Sequence, residues 1–212
     1  MRIDIFSDTV CPWCFIGKRR LEAALAATPP AETEIHWHAF QLNPELPARG
    51  CDRREYLNAK FGGAQALERI YAHVREAGRG VGIDFQFEKI TRSPNTFNSH
   101  RLIQLATTQH KTDAMVEALF RGYFLEGRDI GDDATLAGLA HSVGLEGDID
   151  TWLSGEGERS EVLNELQAGR EFGISGVPFF IFASRYSVSG AQPAEVFRQA
   201  MDAARRPPSP SN

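Results

Sequence analysis

Apolar and polar residues alternate at the start of the chain, where Ile3, Ile5 and Phe6 give residues 2–7 the period of a strand. That strand runs straight into Asp8, Thr9, Val10, Cys11, Pro12, Trp13 and Cys14. From Cys14 onward the period lengthens. Phe15, Ile16, Leu21 and Leu25 fall near helical spacing, with Lys18, Arg19, Arg20 and Glu22 on the other face, until Pro29 and Pro30 stop the pattern. A helix therefore opens on the cysteine motif. Residues 34–40 alternate again around Trp37 and read as a second strand, which after a strand and a crossover helix favours a parallel βαβ unit.

From about residue 41 to residue 157 the strand signal nearly vanishes, and helical patterns follow one another between Gly or Pro breaks. Asp52 can cap a helix over 53–61, and residues 64–79 carry Leu67, Ile70, Tyr71 and Val74 on one stripe. Ser93 followed by Pro94 reads as a cap and first helical position for a helix bearing Phe97, Leu102, Ile103 and Leu105. Further helices are expected at 113–125, 132–143 and 148–153, and the whole block reads as an all-helical insertion with its own core. A helix over 158–172, strands at 177–183 and 185–189, and a helix over 193–204 then close the chain as a ββα unit. The expected organisation is a discontinuous domain of residues 1–41 and 158–204, an insertion at 42–157, and a tail at 205–212 that lacks apolar residues and reads as disordered.

Composition narrows the function. With 212 residues, 42% of them hydrophobic and 24% charged, the chain can bury a core without disulfide staples, and small disulfide scaffolds are excluded. A net charge of -5 argues against a nucleic-acid binder that works by neutralising phosphates. No run reaches the roughly 18 to 20 apolar residues of a membrane helix, and residues 1–8 hold no apolar secretory segment, so the expected location is cytoplasmic. Three cysteines, an odd number in a reducing compartment, point away from structural disulfides and toward a redox, catalytic or metal role for a close pair.

That pair is Cys11 and Cys14, placed where a strand hands over to a helix. Cys11 should occupy the helix cap, where unpaired N–H groups and the macrodipole favour its thiolate, which makes it the candidate nucleophile. Cys14, one turn on, could attack a mixed disulfide at Cys11 and release the substrate thiol. Pro12 suits the first helical position, and Trp13 would leave an apolar ring beside the sulfur. Two competing readings are weighed: the cysteines simply pack in a core, or they join His36 and His38 in a metal site, a spacing unusual for structural zinc. No metal is expected.

The second motif is Gly173, Ile174, Ser175, Gly176, Val177, Pro178. An X-Pro bond before a strand tolerates a cis peptide, which would present Val177 as an unpaired edge for a substrate backbone; from spacing alone an ordinary trans proline at the first residue of a strand is the better fit. Cys51 reads as a free, half-buried or surface thiol and His100 as a packed histidine. The stripe Phe120, Tyr123, Phe124 reads either as core or as the floor of an apolar groove beside Trp13.

The Cys11-Pro-Trp-Cys14 motif after an amino-terminal strand, the late Gly176-Val177-Pro178 and the helical insertion between them resemble the thioredoxin superfamily. Residues 8–17, 40–44 and 94–102 are similar to segments of its DsbA-like group, which includes the FrnE-like proteins and the 2-hydroxychromene-2-carboxylate isomerases. The resemblance implies an α/β thioredoxin fold with a large helical insertion, Cys11 and Cys14 as a redox pair, and Pro178 as a cis-proline facing them. It implies a disulfide oxidoreductase acting on protein or low-molecular-weight thiols. No cofactor is implied beyond the cysteine pair and, as a co-substrate, glutathione. The related isomerases and kappa-class glutathione transferases carry serine where this chain has Cys11. A glutathione-dependent isomerase or transferase is thus the competing enzyme, with Asn95 as a residue of its cleft or, equally, a helix cap. A peptide-binding holdase is the non-enzymatic alternative, and a homodimer is left open.

Overall fold

The first strand, β1 (Arg2–Ser7), is buried along all but its first residue. In the computed structural model, which describes residues 1–27 and 32–206, it is flanked on both sides. A crossover through α1 (Pro12–Ala26) returns the chain to β2 (Glu34–Ala39), parallel to β1 with Ile5 beside Trp37. After the insertion, α8 (Arg159–Glu171) leads to β5 (Phe179–Phe182), antiparallel to β1 with Ile5 opposite Phe180. Then come β6 (Tyr186–Ser189) and α9 (Ala194–Arg205), giving a four-stranded sheet of order β2-β1-β5-β6.

The two faces of this sheet explain the pattern of β1. Ile3 and Ile5 lie in the core with Phe180 and Phe182, and Phe197 of α9 meets those rings at centroid distances of 4.6 and 6.3 Å. Fully burying each such side chain stabilises the fold by about 1.5–3 kcal/mol. On the other face Phe6 stacks on His38 at 4.9 Å, and α8 packs close because its Gly169 lies against Phe6; a Cβ there would sit 3.3 Å from the Phe6 ring. Asp4, also on that face, is buried but satisfied, accepting from Arg2 and bonded to His38 Nε2 at 2.8 Å.

Within the insertion lie β3 (Cys51–Asp52), α2 (Arg53–Phe61), α3 (Ala64–Arg79), β4 (Arg92–Ser93), α4 (Phe97–Thr108), α5 (Thr112–Phe124), α6 (Asp133–Ser142) and α7 (Ile149–Ser154). Asp52 caps α2 as expected, accepting from Glu55 N–H at 2.9 Å, and Asp132 and Asp148 cap α6 and α7 in the same way. Three expectations are corrected. Ser93 and Pro94 do not open a helix: Ser93 pairs with Cys51 in the β3–β4 ladder, and α4 starts at Phe97. The insertion has no separate core. Phe15 of α1 stacks on Phe120 at 5.1 Å and Trp37 of β2 meets the same ring at 6.5 Å, so one apolar cluster runs through both parts. Strand β5 begins at Phe179 rather than 177, and Ala183 and Ser184, both at positive φ (50° and 54°), form the turn into β6.

Helix α1 ends at Ala26, and the expected stop at Pro29 and Pro30 lies outside the described residues. Helix α9 runs to Arg205 with Arg206 as its C-cap, two residues into the segment expected to be disordered; the rest of that expectation, 207–212, is likewise outside the described residues. Among the described residues no helix is long and apolar enough to cross a membrane.

Candidate active site

The turn after β1 builds the site. Asp8, fully buried, accepts from Leu42 N–H at 2.7 Å, tying this turn to the segment after β2, while its backbone oxygen accepts from Cys11 N–H at 3.0 Å. Cys11 is then the N-cap of α1 in extended conformation, and Pro12 takes the first turn, where its missing N–H costs no hydrogen bond. No side chain caps this end, so the Cys11 sulfur stands at the positive end of the α1 dipole.

Cys11 and Cys14 are both free thiols, 4% and 1% exposed. Their environments differ. Burial pushes the Cys14 thiol well up, and its hydrogen bond to Cys11 and the charge of that neighbour push it further; bonds from Ser7 and the Asp8 backbone only partly oppose this. Cys11 instead opens into a cavity of about 350 Å³ and sits 3.6 Å from the carbonyl oxygen of Val177. The Val177–Pro178 peptide is cis. Gly17 of α1 allows the close approach of this segment, since a Cβ there would lie 3.0 Å from Pro178 Cγ and 3.1 Å from the Phe180 ring.

The cavity runs between the start of α1 and helices α2 and α3. Trp13, Leu57, Leu67, Val74 and Phe87 supply apolar wall, and Gly176 and Val177 close the side next to Cys11. Its size suits a small ligand. Pro12, Trp13 and Val177 border the cavity, whereas Pro178 is packed behind Val177 against α1. Asn95 does not line it, which corrects that expectation. Its side-chain oxygen accepts from Phe97 N–H at 3.0 Å and its amide donates to Leu46 at 2.7 Å, so it is spent on the turn into α4.

Other candidates lie apart. Cys51, half-buried in β3, does not border the cavity, and burial raises its thiol. His38 turns to the α8 face between Asp4 and Glu165, at 2.8 and 3.0 Å, and His36 sits 3.6 Å from Glu34, so neither joins the cysteines. His100 is buried with Nε2 3.0 Å from the Phe40 carbonyl oxygen. The aromatic stripe of α5 divides: Phe120 and Phe124 are core, while Tyr123 reaches the cavity. Arg53, Tyr56, Lys60 and Tyr71 also line it and escaped sequence reasoning. Only contacts across α2, α3 and α5 bring them to Cys11, and no local spacing signals that.

A thioredoxin-type sheet with an inserted helical block, and a Cys-x-x-Cys pair at the first helix facing an X-Pro segment, define the class. The chain belongs to the DSBA-like thioredoxin domain family, whose sequence model matches residues 2–202. It is similar in structure to a probable DsbA oxidoreductase from Streptomyces coelicolor, with 33% identity, TM-score 0.90, and coverage of 100% of this chain and 94% of that one. A 2-hydroxychromene-2-carboxylate isomerase shares the fold at TM-score 0.74 and 15% identity, covering 96% of this chain and 95% of the other. In sequence the chain is 25% identical to an uncharacterized protein of Bacillus subtilis, YwbO, over 95% of this chain and 96% of that protein.

Proposed function

We propose that this protein is a thiol–disulfide oxidoreductase in which Cys11 is the nucleophile and Cys14 the resolving thiol. One observation carries the reading: Cys11 is the N-cap residue of α1 with its sulfur open on a cavity, while the Cys14 thiol lies sealed one turn further along the helix. In the forward direction the Cys11 thiolate attacks one sulfur of a substrate disulfide, forming a mixed disulfide and expelling the other half as a thiolate. Cys14 then gives up its proton and attacks Cys11; the Cys11–Cys14 disulfide forms and the second half leaves as a thiol. One substrate disulfide is reduced to two thiols and two protein thiols are oxidised, and the reverse sequence donates a disulfide. The potential of the pair against that of its surroundings sets the direction.

The substrates of this reading are protein or low-molecular-weight disulfides, glutathione disulfide included, and Val177 beside Cys11 offers its carbonyl to an extended substrate backbone. A cysteine rather than a serine at position 11 favours exchange over glutathione-dependent isomerisation. The test is reduction of insulin by the protein with dithiothreitol as terminal reductant. Activity is expected to vanish in Cys11→Ser, and full activity in that variant overturns the reading.

A further inference from the structure

Arg53, the first residue of α2, is 9% exposed and borders the cavity that Cys11 opens into. Its Nε donates to the Tyr71 hydroxyl at 3.2 Å and its Nη1 to the Tyr123 hydroxyl at 2.6 Å. The guanidinium also lies over both rings, 5.9 and 5.5 Å from their centroids. Both partners are phenols. Tyr123 donates onward to the Arg92 carbonyl oxygen at 3.2 Å, and burial pushes its phenol up, so it stays neutral and supplies no countercharge. Among the described residues no carboxylate pairs with Arg53; the adjacent Asp52 is spent on capping α2.

A desolvated cation without an anion is costly, and buried charges in proteins are ordinarily paired. No acidic side chain borders this cavity among the described residues, while a second cation, Lys60, stands in its wall, bonded to Asn43 and Tyr56. The rest of the wall is largely apolar.

We propose that the disulfide exchanged at Cys11 is a small one bearing a carboxylate, which Arg53 binds through its free N–H donors while the apolar wall holds the body of the molecule. This rests on Cys11 being the nucleophile. A guanidinium pairs with a carboxylate in forked geometry, and Tyr71 and Tyr123 hold the fork in place. The substrate class is therefore the disulfides of low-molecular-weight thiol acids.

The test compares dithiodipropionate with its uncharged diamide, each at matched concentration with Cys51→Ser protein, following the mixed disulfide at Cys11 by quenched mass spectrometry. Rates are normalised to those of free mercaptoethanol with the same probes. The dianion is expected to react faster than the diamide. Arg53→Gln is expected to slow the dianion by about tenfold to a hundredfold, the loss of a charge-assisted hydrogen bond, and to slow the diamide far less. Arg53→Lys should restore part of the preference. Equal normalised rates in the Arg53 protein, or equal slowing of both probes by Arg53→Gln, overturn the inference and leave the role of Cys11 standing. Failure of Cys11 to react with either probe overturns both. The comparison of probes on the Arg53 protein needs no variant at that position, so misfolding of Arg53→Gln leaves the test intact.

Discussion

The sulfur of Cys11 lies 3.6 Å from the carbonyl oxygen of Val177, two residues that approach across 166 positions of chain. A thiol can donate there; a thiolate cannot, so ionisation frees the carbonyl for a substrate N–H. The spacing depends on Gly17, whose missing side chain leaves room for Pro178 and Phe180. Gly17→Val should push that segment off α1, destabilise the fold by about 1–3 kcal/mol as overpacking does, and slow exchange at Cys11. Urea unfolding together with insulin reduction checks this, and unchanged values in both contradict it.

Cys14 is sealed and its thiol is held well above its ordinary pKa, chiefly by burial and then by Cys11. In a Cys51→Ser background at neutral pH, iodoacetamide should therefore modify Cys11 and leave Cys14 untouched until the chain unfolds. Peptide mapping of the alkylated protein decides it. Modification of Cys14 in the native protein at the rate of Cys11 contradicts the geometry.

His38 links strand β2 to helix α8 and β1. Burial opposes its charged form, but hydrogen bonds to Glu165 and then Asp4 outweigh that, so its pKa is raised. The resulting stabilisation is full below the unfolded value of about 6.5 and is lost as pH rises through the folded value. Asp4 is shifted the other way: burial raises it, but bonds from Arg2 and His38 prevail and lower it, so its share is present above about pH 4 and falls away in acid. His38→Gln should accordingly cost about 1–3 kcal/mol near pH 5.5 and much less near pH 9, read from urea midpoints. A gap that is constant or widens with pH contradicts this assignment.

Arg101 pins the end of α7 to α4. Its guanidinium donates to the carbonyl oxygens of Gly157, Leu153, Gly155 and Trp152 at 2.7, 3.1, 2.8 and 3.2 Å, and it lies 4.7 Å from the Trp152 ring centroid. Replacing it removes the Arg101 donor from the buried Leu153 carbonyl and from the carbonyls of Trp152, Gly155 and Gly157 around it. Arg101→Met should destabilise the fold by about 3 kcal/mol or more, and Arg101→Lys should rescue little, because an ammonium cannot span the fork. A loss below about 1 kcal/mol for Arg101→Met, read by urea unfolding, contradicts the role.

How far the sequence could be read follows from where each signal resides. The β1–α1 junction was legible because a period of two changes to a helical period at Cys11, and the caps Asp52, Asp132 and Asp148 announce their helices locally. Ser93 misled because a Ser-Pro pair has helix-start chemistry, yet here its backbone is claimed by Cys51, 42 positions earlier by the numbering. The insertion read as self-contained because helical periodicity shows that a face is buried and not against what; Phe15 and Trp37 supply the missing wall. Arg53 looked like an ordinary helical residue, since only the fold removes it from water and surrounds it with phenols instead of acids.

The division of labour between the two cysteines is tested most directly in Cys14→Ser protein mixed with a disulfide substrate, the adduct being located by peptide mass mapping under non-reducing conditions. A stable one-to-one mixed disulfide on Cys11, absent when the protein also carries Cys11→Ser, is the predicted result. Linkage at Cys51 instead, or no covalent adduct while disulfide reduction continues, contradicts it.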